Sequence, residues 1–170
     1  MAIAVADREA IFAERGFTWK VESFGANIAS GGSYRLGFRT PSYEVVVLTR
    51  DYSSTVAAIF ASLSEATHTG GTPARQLCLR LSKSGTPLFT INEGVTATPG
   101  ATITSASIRA ASGTGNANAS LPGDLKPVIF KPDTDYVIDL KNDGANTGDI
   151  GLAFYFRPCN IILPTYNEAF

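Results

Sequence analysis

Apolar and polar side chains alternate along most of this chain, most regularly within residues 130–156, FKPDTDYVIDLKNDGANTGDIGLAFYF. Successive side chains of a strand point to opposite faces, so Tyr136, Ile138 and Leu140 form one row and Ile150, Leu152, Phe154 and Phe156 another. The Asn-, Asp- and Gly-rich residues 142–149 lie between them. This pattern predicts a hairpin, and because the connection is longer than a two-residue turn, its tip should carry a bulge or be irregular.

The same rhythm extends toward the N-terminus. After the break at Gly31-Gly32, Tyr34, Leu36 and Phe38 alternate inward with Arg35 outward. Residues 43–49 (YEVVVLT) are nearly continuous and β-branched, the composition of a strand covered on both faces or central in a sheet. In residues 55–61, Val56, Ile59 and Phe60 would suit either a helical turn or a strand, and the surrounding strand rhythm assigns a strand. Residues 65–73 form a loop by composition. Residues 75–82 (RQLCLRLS) then alternate, which places Leu77, Leu79 and Leu81 in the core and Gln76, Cys78 and Arg80 on the other face. A strand reaching Leu88, Phe89 and Ile91 follows the turn at 84–87. Residues 101–110 make a weaker strand of small side chains, suited to close packing or an edge. Residues 112–123 have almost nothing to bury and read as a surface loop. The fold class is all-β, an antiparallel β-sandwich over residues 33–157.

Both ends depart from the rhythm. Residues 6–15 predict a short helix, with Asp7 as its cap, Glu9 complementing the N-terminal dipole and Gly16 at the left-handed C-terminal position. That helix and its flanks make residues 1–32 an N-terminal arm, and Pro158 and Pro164 make residues 158–170 an extended C-terminal arm. Chain ends are normally polar and frayed. These carry Ile3, Val5, Phe12, Phe17 and Trp19 at one end and Ile161, Ile162, Leu163, Tyr166 and Phe170 at the other. Apolar surface on that scale predicts partner-binding elements.

Length and charge narrow the class. A chain of 170 residues suits one core with some material left over. Acidic residues exceed basic ones by 15 to 14, so no basic field selects nucleic acid or an anionic membrane. The start MAIAVADREAIF lacks the features of a signal peptide, and no apolar run is long enough to span a bilayer. Cys78 and Cys159 alone make no disulfide framework and are expected as free thiols.

Candidate chemistry is sparse. The single histidine, His68, sits in a Thr/Gly loop and is expected to be solvated, which disfavours zinc and a Cys-His nucleophile. The acidic segment near Asp139 and Asp143 fails the helix-loop-helix calcium pattern, because Lys141 and Ile150 stand where ligands are required. Gly113-Thr-Gly115 lacks the context of a phosphate loop. The carboxylates between 121 and 170 read as a solvated rim. No enzyme, cofactor or metal site is expected.

The block from Phe130 to Phe156, preceded by Leu88-Phe-Thr-Ile-Asn-Glu-Gly94 and a Gly/Asn-rich loop, resembles the capsid decoration, or cement, proteins of short-tailed bacteriophages. The resemblance implies a jelly-roll-like sandwich and a homotrimer at local threefold positions of the shell. It also implies non-enzymatic stabilisation of the major capsid protein on the capsid exterior, after assembly in the host cytoplasm. The apolar tail beyond Phe156 departs from that pattern. The alternative is a ligand- or receptor-binding sandwich of a phage appendage, using the loops at 67–73 and 112–123.

Overall fold

The computed structural model describes residues 18–79, 87–98, 100–109, 118–121 and 128–159. They form strands β1 (Trp19–Ile28), β2 (Ser33–Arg39), β3 (Val45–Ser54), β4 (Ala58–Glu65), β5 (His68–Thr69), β6 (Thr72–Pro73) and β7 (Arg75–Cys78). Further along are β8 (Ile91–Glu93), β9 (Thr96–Ala97), β10 (Thr102–Arg109), β11 (Asn118–Leu121), β12 (Val128–Phe130), β13 (Asp135–Asn142) and β14 (Gly148–Pro158). No helix occurs among the described residues, and the helix expected over 6–15 lies outside them.

All strand pairings are antiparallel. One sheet runs β11-β3-β14-β1-β7, with β12 also on β3, and the other runs β10-β4-β13-β2-β8-β6. The inward rows meet between the sheets: Leu36 and Phe38 from β2, Tyr136, Ile138 and Leu140 from β13, and Ile150, Leu152, Phe154 and Phe156 from β14. This makes the molecule a β-sandwich. On one side the sheets are joined covalently, because β6 and β7 are separated only by Ala74, whose N–H donates to the Ile91 carbonyl at 2.8 Å. On the other, a narrow apolar cleft of about 20 Å³ opens among Val47, Tyr52, Leu63, Ala106 and Val128, room for roughly one water.

Each pole of the sandwich has its own closure. At the pole where β1 begins and β14 ends, aromatic rings from both sheets stack: Phe38 lies 5.2 Å from Phe130 edge-on, and Phe89 lies 5.0 Å from Phe156. At the opposite pole the fully buried Asn142 replaces apolar packing with hydrogen bonds. Its Nδ2 donates to the Ile28 and Asn146 carbonyls, each at 2.8 Å, and its Oδ1 accepts from the Gly144 N–H at 2.9 Å. Its own backbone pairs with Gly31 and Gly32. A buried amide with both donors used stabilises the crossover it sits in, whereas an unpaired one would cost about 1–3 kcal/mol.

Four expectations need correction. The two rows predicted as a hairpin belong to different sheets: β13 pairs with β2 and β4, while β14 pairs with β3 and β1. Alternation assigns faces but not neighbours, and the connection at 143–147 crosses the core instead of turning back within one sheet. The N-terminal arm, drawn to residue 32, contains β1, a strand paired on both sides. Accordingly Trp19, expected as a partner-binding residue, is only 5% exposed and belongs to this sandwich's own core. In β7, Cys78 lies opposite Trp19 and Gln76 opposite Val21, and opposed residues share a face. Leu79 is therefore 37% exposed while Cys78 packs on the core, because pairing with β1 decides the face of so short an edge strand. Finally, the loops at 65–73 and 112–123 contain β5, β6 and β11.

Leu152 and Leu79 give a matched contrast. Leu152→Ala should cost about 2–5 kcal/mol in denaturant unfolding, because it opens a cavity between the sheets. Leu79→Ala should stay within about 0.5 kcal/mol. Equal losses at the two positions would overturn the register of β7.

Candidate interaction surface

Strand register fixes where the two ends attach. Trp19 pairs with Phe156, so the described sandwich begins at Thr18 and ends at Cys159 on neighbouring strands of one sheet, at one pole. The Leu79 N–H donates to the Thr18 carbonyl at 3.0 Å and the Cys159 N–H to the Glu44 carbonyl at 2.8 Å, holding both exits in the sheet. Ile3, Val5, Phe12, Phe17, Ile161, Ile162, Leu163, Tyr166 and Phe170 lie outside the described residues. Exposed apolar side chains occur near the same pole: Leu79 beside Thr18, and Ile129, 55% exposed, on β12 opposite Val46.

A second surface was not evident from the sequence. On β8, Ile91 and Glu93 share a face, so a carboxylate follows a core residue into the inward row. There Glu93 Oε2 accepts from Ser23 Oγ at 2.6 Å and from the Tyr34 hydroxyl at 2.9 Å. The two hydroxyls are themselves 2.8 Å apart. The Tyr34 ring lies against Gly25, where any Cβ would overlap it. β7 pairs with β1 only as far as Glu22, so beyond that point this triad occupies the corner between the sheets. Ser23 and Glu93 of the triad line a cleft together with Glu22, Phe24 and Arg75. The readable signal was Glu93 itself, a charge in phase with Ile91.

Other polar groups have local roles. His68 is half-buried in β5, which pairs with β9; the ring packs on Gly37, and Nδ1 is buried without a hydrogen-bond partner. The expected solvated loop histidine is therefore corrected, because this two-stranded flap folds onto β2 and β13. Several carboxylates expected in a solvated rim have specific partners. Asp135 pairs with Arg39 at 3.2 Å, Asp139 with Arg35 at 3.4 Å, and Asp149 accepts from the Asn27 N–H at 2.9 Å. Cys78 and Cys159 are not joined in a disulfide. Among the described residues no three His, Cys, Asp or Glu side chains converge as a metal site would require.

Burial, and the Glu93 carboxylate beside it, push the Tyr34 hydroxyl up to about 12 against an ordinary value of 10.0, although the Ser23 hydrogen bond opposes the shift. The folded chain therefore keeps this proton to higher pH than the unfolded chain does. The stability tied to it is intact below about pH 10 and is lost as pH rises toward about 12. Tyr34→Phe should flatten the fall in melting temperature across that window; a slope identical to wild type would remove the triad's role. No family model, curated protein or solved structure matches this chain.

Proposed function

We propose that this protein is a non-enzymatic decoration protein of a tailed-bacteriophage capsid, acting as a homotrimer on the major capsid protein. The observation that carries the proposal is the common exit of the two apolar ends, since Trp19 pairs with Phe156. The sequence before Thr18 and after Cys159 carries nine of the large apolar side chains expected to bind a partner. Each one fully buried against a partner contributes roughly 1.5–3 kcal/mol. Two arms that start together engage a lattice at a high effective concentration of the second after the first has bound.

Strand order adds support. β1 and β2 pair with β14 and β13, while β3 and β4 pair with β11/β12 and β10, so a ribbon of two strands winds across both sheets. That winding suits a jelly-roll sandwich, an architecture recurrent in viral capsid and lectin domains.

Removing residues 160–170, or residues 1–17, should leave the melting temperature of the free protein nearly unchanged. Either deletion should strip it from expanded, empty capsids of a short-tailed phage during washing. The intact chain should saturate those capsids at a fixed ratio with threefold stoichiometry. Absence of saturable binding by the intact chain would overturn the proposal, and a collapsed melting temperature would show that the arms complete the sandwich's own core.

A further inference from the structure

The cleft at the corner of β1, β7 and β8 is lined by described residues. It measures about 400 Å³, within the range of small-ligand sites, and is open to solvent along one side. Phe24 stands at its rim, 59% exposed, on the outward face with Lys20 and Glu22. Its ring lies beside Gly151, which offers no side chain to cover it. The result is an apolar aromatic face presented along a sheet.

The polar groups around that face are held in place. Glu93 has one oxygen fixed by Ser23 and Tyr34, which orients the carboxylate without neutralising it. Arg75 lies opposite Glu22 in the register of β7 and β1, adding a planar group with five donors. Glu22 is already paired with Lys20. The remaining charges, Glu93 and Arg75, are of opposite sign, so the cleft selects neither a polyanion nor a polycation.

We propose that this cleft binds a neutral saccharide. A pyranose has a face of C–H groups, which matches the negative face of the Phe24 ring, and an edge of hydroxyls that both donate and accept. Glu93 accepts from such hydroxyls and Arg75 donates to them. Phe24 is five residues along β1 from Trp19, about 17 Å from the pole at which the described residues begin and end.

The test is a titration of the intact, isotope-labelled chain, followed by amide chemical shifts. The probes are neutral disaccharides of gluco, galacto and manno configuration, with a sulfated disaccharide and tetramethylammonium as charged controls. At least one neutral sugar should give saturable shifts centred on Phe24, Arg75 and Glu93. Phe24→Ala and Arg75→Ala, both at exposed positions, should each weaken it about tenfold while the melting temperature holds. Glu93→Gln should weaken binding similarly. No saturable shift with any neutral sugar, binding that survives Phe24→Ala, or tighter binding of either charged control would overturn the proposal. None of these outcomes depends on capsid attachment.

Discussion

The apposition of two strand rows across the core, Tyr136, Ile138 and Leu140 of β13 against Ile150, Leu152, Phe154 and Phe156 of β14, is the contact on which the rest of this sandwich depends. Each strand is central in its sheet, flanked on both edges, so each row is covered from the front and the sides. Burying a large apolar side chain contributes roughly 1.5–3 kcal/mol, and the facing rows supply seven such residues. Had the two strands paired with each other, their rows would have lain side by side in one sheet and would have needed another layer to cover them. Crossing between sheets lets one short segment of sequence provide both walls of the core.

That crossing is made possible by Asn142. The turn from β13 to β14 leaves backbone groups away from any ladder, and buried backbone groups need partners. The Asn142 side chain answers the Gly144 N–H and the Asn146 carbonyl within the turn, and the Ile28 carbonyl at the end of β1. One polar residue thereby joins the β13-β14 crossover to the β1-β2 turn. The opposite pole uses aromatic packing instead, with Phe38, Phe89, Phe130 and Phe156 filling the end of the core. The aromatic pole is where both ends of the described chain leave, whereas the cleft beside Glu93 lies farther along β1, where β7 no longer covers its edge.

Much of the architecture was legible in the sequence, because strand periodicity is a local property of the backbone and needs no knowledge of neighbours. The rows of β2, β13 and β14 follow from side-chain spacing alone. The absence of a basic field follows from composition. Pairing did not follow, since strands with the same alternation are interchangeable until register and crossover decide between them. Trp19 shows the consequence. Its position near the chain start suggested an arm, yet its two neighbours, β14 and β7, place it in the core. Cys78 and Leu79 exchange their expected faces for the same reason.

The candidate cleft was less legible still. Phe24, Arg75 and Glu93 are separated by tens of residues and come together only because β6 and β7 turn the corner between sheets at Ala74. Nothing local marks Phe24 as a surface aromatic, except that it falls out of phase with Trp19 and Val21. The sequence by itself determined an all-β chain with apolar ends, because alternation and composition are written residue by residue. Only the tertiary structure decided which strands face each other, that both ends leave from one pole, and that a carboxylate, a guanidinium and an aromatic ring share one cleft, because each of these is a relation between distant segments set by pairing and packing.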